Sequence, residues 1–277
     1  MKQPLRVLLS QDLSCVGQVS LGVALPLFAA LGFEACPLPT ALLSTHTGGL
    51  GANTFHDLTP EMPQILQHWQ QLDLTFQGLC LGYLGPNALQ VWQQWLPNFK
   101  ATPLRLIDPV MADNGQFYSG FDQHYAQALG TLLPQATVIT PNLTEAQLLL
   151  GQTPRLTDWT PVQAEQLAHT LSQQFHVTTV VLTGIPLGNQ VGVSTYQAGQ
   201  TATVQQPRQP GHYFGTGDWF ASVLGAALLR QRDLVTSVQL GMTFMAQAIA
   251  QTRADHGDPR FGLHAQGALV NLMATLK

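Results

Sequence analysis

Gly215-Thr216-Gly217-Asp218 runs directly into the apolar stretch Trp219-Phe220-Ala221-Ser222-Val223-Leu224-Gly225-Ala226-Ala227-Leu228-Leu229. Two glycines let the backbone turn tightly, so the amides opening the next helix can converge on an anion with a carboxylate beside them. Fixed donors of this kind stabilise charge on phosphate oxygens, and Asp218 could take the proton of an attacking hydroxyl. The chemistry would be phosphoryl transfer. The same tetrad also makes an ordinary helix start, because Thr and Asp are favoured caps and Gly is a common turn residue. Other segments must decide between a transfer site and a cap.

Two of them place oxygen ligands after strand-like runs. Asp108-Pro109-Val110-Met111-Ala112-Asp113-Asn114-Gly115 follows 104–107, and Thr140-Pro141-Asn142-Leu143-Thr144-Glu145-Ala146 follows 137–139. Hard oxygen ligands suit Mg²⁺, which keeps several waters and uses one or two protein carboxylates plus phosphate oxygens. Asp108 and Glu145 are therefore candidate metal-site residues. The alternative is structural: Asp108 opens a turn before Pro109, and Thr140 or Asn142 caps a helix with Glu145 as the capping-box acid. Thr183-Gly184, after 178–182, offers a hydroxyl and bare backbone to a phosphate, or simply turns the chain.

The elements that must position these residues alternate. Strands are expected at 6–10, 76–81, 104–107, 137–139 and 178–182, with short extended pieces at 35–38 and 41–44. Helices are expected at 17–31, interrupted by Pro26, then at 61–71, from Pro86 to before Pro97, and at 123–133, 142–150 and 161–175. Residues 191–204, with Gly199 midway, alternate like a hairpin, and three helices follow from Asp218, Val235 and His264. Strands separated by helices of this length build βαβ units. The expected fold is a three-layer α/β/α arrangement with a mostly parallel central sheet, as one domain over 1–277. Ligands of such sheets gather beyond the carboxyl ends of the strands.

Composition narrows the partners. Charged residues make up 9% of the 277-residue chain, against about 25% in ordinary domains, and the net charge is −4 with no Lys/Arg cluster. Nucleic acid and anionic membrane are poor partners for such a surface. Met1-Lys2-Gln3-Pro4-Leu5-Arg6 leads straight into a strand without the features of a signal peptide, and no apolar run is long enough to span a bilayer. A cytoplasmic protein is expected. Cys15, Cys36 and Cys80 lie far apart in apolar surroundings and are expected as reduced core cysteines. There is no Gly-x-x-x-x-Gly-Lys-Ser/Thr loop, no Gly-x-Gly-x-x-Gly after the first strand and no zinc-ligand spacing. His169 and His176 fit a helix and the loop after it.

Taken in order, Asp108-Pro109-Val110, Thr140-Pro141-Asn142 with Glu145, and Gly215-Thr216-Gly217-Asp218 resemble the ribokinase superfamily. Ser44-Thr45-His46-Thr47-Gly48, Leu81-Gly82-Tyr83 and 12–32 make the chain more specifically similar to pyridoxal kinases, over nearly its whole length. The resemblance implies transfer of the γ-phosphoryl group of ATP, with Mg²⁺ and K⁺, to the 5′-hydroxymethyl group of pyridoxal, pyridoxamine or pyridoxine. It implies Asp218 as base and the amides of Gly215, Thr216, Gly217 and Asp218 as an anion hole. Asp108 and Glu145 would organise the metal, and Asn142, Thr183, Gly184, Phe214, Gly215 and Gly217 would contact the nucleotide. Asp12, Val19, His46, Thr47 and Tyr83 would line the pyridine pocket, Tyr83 stacking and His46 or Thr47 meeting polar substituents. A homodimer is also implied.

Each pocket residue has a plainer role open to it: Val19 in the core, His46 ordering its loop, Tyr83 as a strand-end aromatic. Two positions depart from the family pattern. Asp12 stands where many relatives have Ser, which brings a charge to the ring, and Ala112 stands where Gly is usual before Asp113. The segment 114–120, with Gly115, Tyr118, Ser119 and Gly120, would either cover the site and exclude water or be a surface loop. A hydroxymethylpyrimidine kinase and a catalytically silent B6-binding protein are the alternatives to a B6 kinase.

Overall fold

A computed structural model describes residues 4–276. Met1, Lys2 and Gln3 of the N-terminal reading lie outside the described residues. The chain forms two compact units, Met1–Leu84 with Gln209–Lys277, and Gly85–Arg208.

The first unit begins with β1 (Arg6–Ser10), β2 (Leu13–Val16), α1 (Leu21–Ala30), β3 (Glu34–Pro37), β4 (Ala41–Thr45), β5 (Phe55–Asp57), α2 (Met62–Gln71) and β6 (Gly78–Leu81). β1 pairs in parallel with β3 on one side and β6 on the other. Val7, Leu8 and Leu9 are fully buried, as a parallel strand covered on both faces requires. A separate small sheet joins β2 in parallel to β4, and β4 antiparallel to β5. The expected helix at 17–31 is shortened at its start. Gly17 at φ 107° and Ser20 at φ 47° hold non-helical backbone, so 13–16 become a strand and the helix opens at Leu21. It then continues through Pro26, carried by the buried residues Leu21, Val23, Ala24, Leu27 and Phe28.

The second unit contains α3 (Gly85–Trp95), β7 (Leu104–Ile107), β8 (Ala112–Asp113), β9 (Gln116–Phe117), α4 (Gln123–Gly130), β10 (Val138–Ile139), α5 (Leu143–Leu149), α6 (Pro161–Phe175), β11 (Thr179–Leu187), β12 (Gln190–Gln197) and β13 (Gln200–Pro207). β10 pairs in parallel with β7 and β11, and β11–β12–β13 continue antiparallel. Gly184, expected as a strand end, instead sits at φ 70° in a register shift between Leu182 and Ile185, and β11 runs on to Leu187. A bulge costs one residue of pairing and leaves the strand intact. The proposed covering segment starts as an ordered hairpin, β8–β9, whose central residues Asn114 and Gly115 have φ 50° and 78°, as a type I′ turn demands.

The chain then returns to the first unit with α7 (Thr216–Leu229), α8 (Leu234–Ala254) and α9 (Gln266–Thr275). Trp219 through Ala227 are all buried, so α7 is a core helix whose first turn is rigidly placed. The cysteines correct the expectation of a common core role: Cys80 is buried, which pushes its thiol up to about 12, Cys36 is half-buried and Cys15 is exposed. No helix among the described residues is long and apolar enough to cross a membrane.

Candidate active site

In the first unit the glycine tetrad becomes the head of α7. Gly215 caps the helix at φ 75° and its carbonyl accepts from Trp219 N–H at 3.0 Å. The amides of Thr216, Gly217 and Asp218 therefore precede the helical ladder, as the first donors of any helix do. A side chain at 215 would overlap the carbonyl oxygen of Gln18, and Val19 Cγ1 lies at contact distance from the same point. Gln18 is itself held by its N–H donating to Phe261 O at 2.8 Å. Glycine is demanded twice over, by its φ and by this close approach.

Asp218 Oδ2 accepts from Ser20 N–H at 2.9 Å. Burial, then the nearby Asp12 charge, lifts its proton affinity to a pKa of about 7, against the opposing pull of the Ser20 amide. Asp12 is 5% exposed and also raised by burial, a rise that Ser20 and Ser14 oppose, Ser14 through a hydroxyl that donates to Asp12 Oδ2 at 3.1 Å. His46 and Tyr83 lie near Asp12, and burial, then the Asp12 charge, raises the Tyr83 phenol. The structure thus brings Asp12, Val19, His46, Tyr83 and the tetrad into one unit, with Thr47 exposed beside His46.

His46 is more constrained than its pocket role suggested. Its Nε2 faces Arg260 O at 2.5 Å and its Nδ1 accepts from Gly48 N–H at 3.1 Å, which defines a neutral ring with the proton on Nε2. Both nitrogens are spent on backbone, so His46 orders its loop. Its ring lies 4.6 Å from that of Phe214, tilted by 34°. Gly48 has no room for a side chain because Phe214 occupies the space.

In the second unit, Asp108 follows β7 and is buried, as is Glu145. Glu145 Oε2 accepts from Asn142 N–H at 2.8 Å and Oε1 from Met111 N–H at 3.1 Å. Asn142 Oδ1 in turn accepts from Thr144 and Glu145 N–H, completing a capping box, and its amide donates to Ala112 O at 2.8 Å. The capping role anticipated as the alternative is therefore real. It does not exhaust Glu145: burial and the Asp108 charge push its carboxyl well upward, and two such groups side by side favour a shared cation. Thr140 Oγ1, buried without a hydrogen-bond partner, follows β10 at the level where Asp108 follows β7. This oxygen set fits a hard divalent ion. Among the described residues there is no cluster of three or more His, Cys, Asp or Glu, so such an ion would keep waters. Thr183 bridges to Asn142, with Thr183 N–H donating to Pro141 O at 2.9 Å, and the space beside Gly184 is open.

Sequence reasoning did not single out Ser20 and weighed Thr140 only as a helix cap, a role that Asn142 takes. Ser20 carries no motif signal, although Thr140 stood inside a quoted motif.

A helix head with an adjacent carboxylate and a mostly parallel sheet define a phosphotransferase of ribokinase-like fold. The chain belongs to the phosphomethylpyrimidine kinase family, whose sequence profile matches residues 25–260. It is 28% identical over 248 residues to the pyridoxine/pyridoxal/pyridoxamine kinase of Bordetella avium, covering 86% of this chain and 82% of that one. The pyridoxal kinase structure of Lactobacillus plantarum is 35% identical with a TM-score of 0.90, covering 98% of this chain and 97% of that one. A Bacteroides thetaiotaomicron structure solved with pyridoxal is 34% identical with a TM-score of 0.91, covering 97% and 96%. These neighbours share the mixed, mostly parallel central sheet with helices on both sides, the fold class expected from the sequence.

The raised Asp218 makes a pH prediction. A base at this position would have to be ionised, so with Asp218 in that role kcat/KM should rise as pH passes about 7. Its folded pKa exceeds the ordinary 3.8, so the stability it contributes is full below 3.8 and lost as pH rises through about 7. Asp218→Asn is expected to melt above the parent at about pH 8 and by a smaller margin at about pH 5.5, read by thermal denaturation at both values.

Proposed function

We propose that this kinase moves the γ-phosphoryl group of ATP to the 5′-hydroxymethyl oxygen of pyridoxal, pyridoxamine or pyridoxine, releasing ADP, and that 1–277 work as one kinase domain. The observation that carries the reading is the placement of Asp218 at the amide-rich head of α7, in the unit that also holds Asp12, Val19, His46 and Tyr83. The acceptor hydroxyl gives its proton to Asp218 as its oxygen attacks the γ-phosphorus, and the bond to the β-phosphate oxygen breaks. The amides of Thr216, Gly217 and Asp218 balance the charge on the moving phosphoryl group. Tyr83 and Val19 supply the ring's apolar contacts, Asp12 a polar one and Thr47 the hydroxyl contact that His46 has given up. Asn142, Thr183, Gly184 and Phe214 are the proposed nucleotide neighbours.

Mg²⁺, when bound, would neutralise phosphate charge, held directly or through waters by Asp108, Glu145 and the Thr140 hydroxyl. Glu145→Gln preserves the acceptor for Asn142 N–H and removes the charge. It is expected to raise the Mg²⁺ concentration needed for half-maximal rate by roughly 10–100-fold, measured by metal titration of the initial rate.

The family's description as phosphomethylpyrimidine kinases favours one second reading, the related hydroxymethylpyrimidine kinase. ATP consumption with pyridoxal, pyridoxamine, pyridoxine and hydroxymethylpyrimidine separates the two: a B6 vitamer should give the highest kcat/KM. A higher value for the pyrimidine transfers the assignment to it, and vitamer binding without ADP formation marks a silent binding protein. A cytoplasmic site of action is also proposed, as is a homodimer supported by the exposed Val16, Leu42 and Phe55 of the small sheet; light-scattering mass tests the latter.

A further inference from the structure

We propose that Phe214 is a positioning residue for the vitamer: its ring is the seat on which the turn 46–49 rests, and it ties the turn that carries Thr47 to the chain entering the anion hole. The inference rests on the reading of this site as that of a B6-vitamer kinase.

Residues 46–54 connect β4 to β5. The two ends of the connection are fastened to each other: Asn53 Nδ2 donates to Thr45 O at 2.8 Å, and Thr54 N–H donates to Ser44 Oγ at 3.0 Å. Its tip has little to bury on its own account, because Gly48, Gly49 and Gly51 carry no side chains and Thr47 is exposed. The tip leans on Phe214 instead. The Phe214 ring lies 4.6 Å from the His46 ring, and a methyl built on Gly48 would stand 2.9 Å from Phe214 Cζ and nearer still to Cε1. The corresponding point on Gly49 is 3.7 Å from Cζ. Gly49 needs glycine for its φ of 74°. Gly48 lies outside that left-handed region, so what excludes a side chain there is the Phe214 ring.

The ring is itself placed by the backbone that forms the candidate anion hole. Phe214 N–H donates to Pro259 O at 3.3 Å, the next residue, Gly215, caps α7, and Thr216 Oγ1 donates to Tyr213 O at 3.4 Å. His212 closes the other approach, its ring edge-on to Phe214 at 5.3 Å and 82°. The His46 bonds to Arg260 O and Gly48 N–H fix the imidazole; the backbone at Gly48 and Gly49 rests on Phe214. One aromatic side chain therefore holds the acceptor-side turn in register with the head of α7. A turn ordered before the vitamer arrives loses less freedom on binding it, and that saving appears as affinity.

Three variants test this. Phe214→Ala removes the seat, Phe214→Leu keeps apolar bulk, and Gly48→Ala drives a methyl into the ring. In Phe214→Ala the KM for pyridoxal should rise roughly tenfold with kcat within about threefold, because the loss falls on ordering the bound vitamer. Calorimetric ADP affinity should stay within about twofold, since backbone contacts at residue 214 survive the loss of its ring. Phe214→Leu should lie within about threefold of the parent KM. Gly48→Ala should also raise KM roughly tenfold. Combined with Phe214→Ala, its methyl enters vacated space, so the double variant should be no worse than Phe214→Ala, whereas independent effects would multiply to roughly 100-fold. Without any ligand, hydrogen exchange of the Gly48 amide should quicken about tenfold or more in Phe214→Ala. Unchanged Gly48 exchange in the folded Phe214→Ala or Phe214→Leu proteins, or multiplying effects in the double variant, overturns the proposal. So does weakened ADP binding with an unmoved pyridoxal KM, which would make the ring a nucleotide contact. Should the parent phosphorylate no vitamer, the functional reading fails, while the exchange measurement still decides whether Phe214 seats the turn.

Discussion

Replacing Asp218 with alanine is expected to lower kcat by roughly 10²–10⁴-fold, the range a positioned general base supplies, while nucleotide affinity stays within about threefold because the base adds little to ground-state binding. The substitution removes the one carboxylate at the head of α7 and leaves the amides of Thr216 and Gly217 in place. Phe220, Val223 and Leu224 keep the helix anchored in the core, so the protein should remain folded. Steady-state rates with pyridoxal, paired with a calorimetric nucleotide titration, separate lost chemistry from lost binding. Near-parental kcat would remove Asp218 from the mechanism.

Gly215→Ala should be nearly as damaging by a different route. The φ of 75° costs an L-residue about 1–2 kcal/mol, and the new methyl would overlap Gln18 O. The overlapping atom is backbone and not a flexible side-chain tip, and Gln18 is tied through its own N–H to Phe261 O. The cap must shift, and displacing donors by about 1 Å from their target costs on the order of 10²-fold in rate. The expected result is a fall in melting temperature together with a kcat loss of about that size. The same variant with unchanged melting and unchanged kcat would show that the close approach at Gln18 does not govern the anion hole.

Much of this was legible in the residues themselves. Pro161 after Thr160, with Gln163 three positions on, spells a capping box, and α6 has the expected bounds. The alternation of 191–204 around Gly199 became β12 and β13, with Ala198 and Gly199 both at positive φ. The tetrad stands at a helix start, with Gly215 at the cap in a left-handed conformation that glycine adopts without strain.

What stayed hidden depended on contacts between residues distant in sequence. β2 and β5 exist because β4 pairs with them, and short strands carry little periodicity of their own. Ser20 is unreadable because serine does not announce a left-handed backbone; Asp218, 198 residues away, holds it there. His46 looked like a ligand-contacting residue, but Arg260 O and Gly48 N–H claim both its nitrogens. Cys15 looked like core because its neighbours are apolar, yet its own side of β2 faces out.

Phosphoryl transfer to the vitamer is read by incubating the protein with ATP, Mg²⁺ and pyridoxal, then locating the transferred phosphorus in the product by ³¹P–¹H correlation NMR. A phosphate ester on the 5′ carbon is expected, formed in step with ADP and roughly 10²–10⁴-fold more slowly by the Asp218→Ala protein. Phosphorus found on no vitamer, or a 5′ ester made equally well without Asp218, would contradict this expectation.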